Sequence, residues 1–279
     1  MSILSNRIIL SNPVQRILTG LVLACTILFI LSQKSVSLLA FFLVIVSTIA
    51  SYEWAHIVGY ERVVYKSLYT VAIFVLTSFA VILNEYLNIE LVSGLALIYI
   101  LLCCLSIVNE ERGIPQKFNL LGLWKAGGLI IIPASSLSLI VIFKLNILCL
   151  GVLLLIVCSI DTFCYIGGKL LGKNKLVPII SPNKTREGLY VGFIVSFLIL
   201  FLLNFTTGFL KLDMAIIIYL VIFFSAIMGD LNVSIMKRKS GKKNTGRIFP
   251  GHGGVLDRID SIIFAAPSCI IILSLFEKI

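Results

Sequence analysis

Charge is scarce in this sequence: Asp, Glu, Lys and Arg together make up 13% of its 279 residues, and only 13 residues are acidic. Soluble domains carry roughly 25% charged residues. Long polar domains, low-complexity tracts and obvious internal repeats are also missing. The seven cysteines form no C-x-x-C pair, and all but Cys164 sit inside apolar runs, with Cys164 just past the end of one. That pattern argues against a disulfide framework or a cysteine metal centre and leaves structural thiols. What the chain has in excess is apolar sequence, 59% by count, with a mean hydropathy of +1.10. One soluble core cannot bury that much, so the composition points to a polytopic membrane protein.

Continuous apolar runs fall near residues 17–33, 36–55, 67–84, 89–108, 126–143, 145–160, 189–209, 213–230 and 259–276. Several approach the ~20 residues that cross about 30 Å of hydrocarbon. Their length favours helices over barrel strands. The expected fold is all-α, a single integral membrane domain over residues 1–279 with about nine transmembrane helices. The short sixth run leaves eight as the alternative. Arg7 and Arg16 precede the first run and no A-x-A cleavage site follows it, which marks a retained span. With the N-terminus inside, the cytoplasmic segments 1–16, 56–66, 109–125, 161–188 and 231–258 hold 19 of the 23 Lys and Arg. Only Lys34, Lys144, Lys211 and Lys278 fall outside, a strong positive-inside pattern. The net charge of +10 is then a matter of topology, with anionic lipid or nucleotide phosphates as partners and no nucleic acid.

Residues 1–160 read mainly as scaffold spans, and 161–279 as the half that carries chemistry. In the first half, Glu53 and His56 close the second span and, with Tyr52 and Trp54, read as an interfacial cluster. Glu85, Glu90, Glu110 and Glu111 read as solvated loop charges. Gly127, Gly128 and Pro133 imply close helix packing or a local break.

Two polar stretches stand out. In residues 161–188, Asp161 ends an apolar helix, where an acid needs pairing, water or a cation. Gly167, Gly168 and Gly172 allow close backbone approach, and Lys169, Lys173 and Lys175 add positive charge. S-P-N-K-T-R-E-G then turns into the next span, bringing Ser181, Lys184 and Arg186 to the same zone. The second stretch, residues 234–260, packs seven Lys/Arg, two Asp, one His and five Gly into 27 residues. Asp230 closes the span before it, and Asp257 and Asp260, three apart, share a helix face. Two such carboxylates and a third from another helix can hold Mg²⁺, which takes few protein oxygens and completes its shell with water and substrate phosphates. The Gly-rich turn before Asp257 leaves backbone N–H groups free to meet phosphate at a helix N-terminus. His252 either binds a phosphate or caps that turn. Acids and bases on one side of a bilayer make metal-assisted transfer between a nucleotide and a lipid phosphate plausible.

The same residues carry a longer pattern. Ser234, Lys237, Arg238 and Lys243, then Pro250, Gly251, His252, Gly253, Gly254, Asp257, Arg258 and Asp260, spell S-x-x-K-R, a lysine and P-G-H-G-G-x-x-D-R-x-D. D-x-x-x-Y at 161–165, K-L-x-P at 175–178, S-P-x-K-T-x-E-G at 181–188, R-I-x-x-G at 16–20 and Y-E-W at 52–54 add to it. On these residues the chain closely resembles the phosphatidate cytidylyltransferase (CDP-diglyceride synthase) family, over essentially its whole length and most firmly over 161–260. The resemblance implies a nucleotidyltransferase that moves CMP from CTP to phosphatidic acid, giving CDP-diacylglycerol and pyrophosphate for phospholipid synthesis. It implies Mg²⁺ as cofactor, with a monovalent cation such as K⁺ assisting, and Asp230, Asp257 and Asp260 as the metal ligands. Lys237, Arg238, Lys243, His252 and Arg258 are the expected catalytic groups around the phosphates. Asp161, Ser181, Lys184, Ser234, Gly253 and Gly254 are the expected substrate-binding residues. CTP, phosphatidic acid and membrane lipids are the implied partners, with a homodimer left open. A bacterial inner membrane is the expected location, with the N-terminus and both polar loops cytoplasmic.

The chain departs from the family pattern at Asn244, where Asp is usual, and at Val233, where Glu is usual. It also departs at Phe163 and Cys164, where small residues are usual, and at Arg186, where Trp is usual. Two missing acids imply weaker cation affinity, a shifted cation preference or a lower rate. They keep a catalytically weakened or inactive lipid-binding relative as the alternative. A transporter is the third reading, but transporter sites usually lie near the bilayer midplane, whereas these acids are expected at span ends.

Overall fold

In the computed structural model the described residues are 12–114, 120–208, 210–246, 248–249 and 253–277, with side chains described between residues 19 and 276. Among them are nine helices: α1 (Asn12–Ser32), α2 (Val36–Ile57), α3 (Val63–Ile82), α4 (Ile89–Glu111), α5 (Leu120–Leu145), α6 (Ile147–Leu171), α7 (Arg186–Thr207), α8 (Leu212–Lys239) and α9 (Leu256–Glu277). Each of the nine helices holds the greater part of one of the nine apolar runs. Eight of the helices, α2 to α9, are long and apolar enough to cross a bilayer, and the described apolar part of α1, Thr19–Ser32, is shorter. Side-chain caps start several of them. Ser35, Asn88, Asn146 and Thr185 accept the first free N–H groups of α2, α4, α6 and α7.

Two boundaries differ from the sequence reading. α6 runs through Asp161 to Leu171, and α8 runs through Asp230 to Lys239, so neither acid ends its helix. Helix propagation depends on backbone hydrogen bonds and the absence of breakers, and neither extension contains proline. A short antiparallel hairpin, β1 (Lys175–Val177) and β2 (Ser181–Thr185), links α6 to α7 and is the one element absent from the expected all-α design. Glu187 at the start of α7 closes this link by accepting the N–H groups of Lys173 (3.0 Å) and Asn174 (3.2 Å).

The interior is set by α5, 78% of whose apolar window is buried, with α9 at 67% and α8 at 56%. α3 and α7 bury only 28% and turn large apolar side chains outward, as lipid-facing helices do. Trp54 is not an interfacial aromatic: it is fully buried and donates its indole N–H to the Trp124 carbonyl oxygen at 2.9 Å. Glu53 beside it is buried as well. Glu110 and Glu111 are engaged rather than free in water, Glu110 pairing with Lys239 at 2.6 Å and Glu111 accepting the Ile179 N–H at 3.3 Å. Gly127 lies against the Tyr99 ring and Gly128 against Tyr69 and Trp54, and α5 continues unbroken through Pro133, so close packing is the outcome there.

Two of the helices that bear the acids, α8 and α9, meet at Gly229. A Cβ there would run into the Asp260 carbonyl oxygen and crowd the Phe264 ring. Gly229→Ala is therefore expected to cost about 1–3 kcal/mol by overpacking and to lower the thermal midpoint of the purified protein in detergent. An unchanged midpoint would show that α8 and α9 can separate freely.

Candidate active site

Four helices, the two strands of the hairpin and one loop converge on a cavity of about 640 Å³. α6 contributes Asp161, Tyr165 and Lys169, which recur every four residues and so share a face. β2 contributes Ser181, Asn183 and Lys184. α8 contributes Asp230 and Lys237, two turns apart, and α9 contributes Asp257, Arg258 and Asp260 from its first two turns. Asn244 enters from the loop between α8 and α9, and Leu176, Leu189 and Ile227 form an apolar wall.

Two ion pairs cross this space. The Lys184 ammonium bonds Asp230, and Lys237 Nζ lies 2.8 Å from Asp257 Oδ1. Burial alone would push the Lys184 ammonium down, but the charges of Asp230, Asp161 and Asp260 outweigh it and hold it above the usual lysine value. Lys184 therefore stays cationic at any physiological pH. An ammonium has three donors, so each lysine keeps donors for a phosphate oxygen.

The four acids are not equivalent. Asp257 Oδ2 accepts the Thr245 N–H (2.9 Å) and the Gly254 N–H (3.0 Å), with the Thr245 hydroxyl at 3.0 Å. With Lys237 on its other oxygen, Asp257 has little capacity left, and it acts chiefly as the clasp of its own loop. Among the described residues, Asp161 Oδ1 accepts only the Ser261 hydroxyl, at 3.3 Å. Asp260 is 7% exposed, accepts the Ser261 N–H at 2.9 Å, and forms no ion pair with Lys or Arg among the described residues. Among the described residues, Asp161, Asp230 and Asp260 thus accept fewer hydrogen bonds than Asp257 and keep more acceptor capacity in the cavity they line.

Eight of the expected site residues line the cavity: Asp161, Ser181, Lys184, Asp230, Lys237, Asp257, Arg258 and Asp260. His252 lies outside the described residues. Arg238 and Lys243 are exposed and off the cavity lining, Arg238 Nε reaching the Ile180 carbonyl oxygen at 3.5 Å. Ser234 also lies off the lining, its hydroxyl 3.4 Å from Asp230 Oδ1. The expectation of free N–H groups at Gly253 and Gly254 is corrected. Gly253 donates to the Phe249 carbonyl oxygen and Gly254 to Asp257, while Val255 and Leu256 donate to Glu53. The protein's own carboxylates thus already accept the N–H groups of Gly254, Val255 and Leu256 at the start of α9.

Asn183 was not among the expected contacts, Asn244 stands where the family pattern has an acid, and Lys169 was expected only as one of three lysines adding positive charge. The helical spacing of Lys169 from Asp161 was a signal for it, once α6 is known to continue. Of the two departures from the family pattern that remove an acid, only Asn244 touches the cavity. Val233 is fully buried in the apolar core and off the lining.

Whether the residues suit a divalent cation follows from the donor set. Among the described residues no three His, Cys, Asp or Glu side chains close around one point. The cavity instead offers single carboxylates from different elements, all hard oxygen donors. That suits Mg²⁺, which is typically held by one or two carboxylates with substrate phosphates and water completing the shell.

The Cytidylyltransferase family profile matches residues 14–276. A phosphatidate cytidylyltransferase of Pseudomonas aeruginosa is 36% identical over 260 residues, which is 91% of this chain and 94% of that protein. A namesake in Staphylococcus saprophyticus is 45% identical over 120 residues, 43% of this chain and 46% of the relative. Another in Helicobacter pylori is 41% identical over 128 residues, 45% of this chain and 47% of the relative. These two matches span a little under half of each relative's length. With the profile and a 36% identical relative both matching nearly end to end, this chain belongs to the cytidylyltransferase family.

Proposed function

We propose that the protein transfers CMP from CTP to phosphatidic acid, forming CDP-diacylglycerol and pyrophosphate. The observation that carries the reading is one cavity in which Asp161, Asp230, Asp257 and Asp260 face Lys169, Lys184, Lys237 and Arg258 beside an apolar wall, in a protein of membrane-spanning helices. The four acids and four bases of the cavity balance in formal charge. Its two substrates each bring negative charge, so a cation is chemically called for.

A lipid phosphate oxygen attacks the α-phosphorus of CTP. One P–O bond forms, the bond from that phosphorus to the bridging oxygen breaks, and its electron pair leaves on pyrophosphate. No base is required, because the second ionisation of a phosphate monoester falls near pH ~6. Lys169, Lys184, Lys237 and Arg258 offset the repulsion between the two anions and receive the charge that develops on the leaving group. Asp230 and Asp260, with Asp161 beside them, would hold Mg²⁺. When bound, the ion supplies positive charge at the phosphates. The apolar wall of Leu176, Leu189 and Ile227 suits the glycerol and first methylenes of a lipid. The placement of 19 of 23 basic residues supports a cytoplasmic site, where CTP is made, and bacterial relatives support an inner-membrane location.

Purified protein given labelled CTP, phosphatidic acid and Mg²⁺ is expected to form a labelled lipid, and to stop when any one of the three is withheld. No labelled lipid from folded wild-type protein would favour the inactive, lipid-binding reading instead.

A further inference from the structure

Glu53 sits on α2, in the half of the chain that reads as scaffold, yet its carboxylate ends beneath the catalytic loop. It is 4% exposed. Oε2 accepts the Leu256 N–H at 2.8 Å and the Thr245 hydroxyl at 2.9 Å, and Oε1 accepts the Val255 N–H at 3.1 Å. No Lys or Arg forms an ion pair with it among the described residues. A buried carboxylate without a cation is costly unless donors surround it. Here the donors are a hydroxyl and the first N–H groups of α9, where the helix dipole also favours negative charge.

Three further contacts tie the same region to α2. A Cβ on Gly246 or on Gly254 would strike the Glu53 carboxylate, so the loop is built to let it in. Lys242 Nζ donates to the His56 carbonyl oxygen at 2.7 Å, a second anchor on the last turn of α2. The Thr245 hydroxyl lies within hydrogen-bond distance of both Glu53 and Asp257. One hydroxyl proton serves only one of two carboxylates at a time, so the two acids share it.

We propose that Glu53 is a positioning residue: it sets where α9 begins, and so where Asp257, Arg258 and Asp260 stand in the cavity. Its carboxylate fills the helix N-terminus that a substrate phosphate would otherwise take. That directs the phosphates to the side chains of Lys184, Lys237 and Arg258. Glu53 touches no reacting atom and acts through α9. The catalytic half of this claim rests on the cytidylyltransferase reading, and the placement of α9 does not.

The test has two arms, both on the full-length protein in detergent. In the first, Glu53→Gln puts an amide where both oxygens now accept. Hydrogen exchange at the Val255 and Leu256 amides is expected to rise about tenfold, with the C-terminal half of α9 unchanged. Unchanged exchange would overturn the proposal whatever the protein catalyses. In the second, turnover of CTP and phosphatidic acid by Glu53→Gln is expected to show kcat lowered about 10–100-fold, the range typical of supporting residues behind a site, with KM for CTP within about twofold. Gly246→Ala, whose Cβ would meet the Glu53 side chain first, should produce the same fall, and the double variant no further fall, because both act on one contact. Ser47→Ala, which removes a buried Ser47–Ser136 bond elsewhere on α2, should lower the thermal midpoint without lowering kcat. Additive losses, or a kcat that merely follows the midpoint across all variants, would reduce Glu53 to a structural prop. Should Glu53→Gln fail to fold, Thr245→Val removes the shared hydroxyl at nearly constant shape and should lower kcat likewise. Wild-type protein that makes no labelled lipid would defeat the proposed reaction and leave the exchange result standing.

Discussion

Asp260→Asn is expected to cut formation of the CDP-lipid by at least about 100-fold while leaving the thermal midpoint unchanged or higher. Asp260 is buried without a basic partner among the described residues, and it lines the same cavity as the carboxyl groups of Asp161 and Asp230. Like charges gathered in a site of low polarity repel, so a neutral residue of the same shape relieves the protein. The same exchange removes the carboxylate best placed to help hold a cation beside the phosphates. Activity therefore falls without any loss of stability, which a fold defect cannot imitate. Labelled-CTP turnover and thermal melting of the same preparation decide the matter. Full turnover would remove Asp260 from the reaction, and a joint loss would make it a structural acid. Asp257→Asn should behave differently. It disrupts the bonds from Lys237, Thr245 and Gly254, so the midpoint and the activity should fall together.

The second large effect concerns Lys184. Lys184→Met is expected to abolish turnover and to lower stability, because Asp230 loses its ion-pair partner in a half-buried place. Breaking a fully buried pair costs about 3–5 kcal/mol, and an exposed one under about 1 kcal/mol. With side-chain exposures of 25% and 29% for Lys184 and Asp230, the loss should lie between those limits. The double variant Lys184→Met/Asp230→Asn should regain most of the thermal midpoint, since no unpaired charge remains, and none of the turnover. Recovery of turnover in the double variant would show that the pair only holds β2 against α8. Failure to regain stability would show that the lysine packs more than it pairs.

Much of the site was legible because its chemistry is local in the chain. Asp257 and Asp260 stand three residues apart and share a helix face wherever that helix lies. Lys184 follows a turn that leads into the next span. Legibility stopped where hydropathy was used to end a helix. Polar residues after 160 and 230 read as loop, yet both helices continue, and that continuation brings Lys169 to the cavity and places Lys237 two turns above Asp230. The Gly-rich turn was read as an open phosphate nest because a sequence does not show which acceptor reaches a given N–H group first.

The amino-acid sequence by itself determined the class of protein, the nearly all-helical fold, the skew of basic residues between alternating segments, and the two polar stretches that carry acids and bases. Those properties follow from runs of about 20 apolar residues, from charge placement and from short motifs, all of which act within a segment. Tertiary structure alone decided that Asp257 clasps its loop while Asp260 faces the cavity, that Lys184 pairs with Asp230, and that Glu53 reaches the start of α9. The physical reason is the same in each case. A buried carboxylate must find donors, and which donors are in reach depends on how closely helices far apart in sequence pack. Glycines such as Gly229 and Gly254 permit that approach, and neither periodicity nor composition reports it.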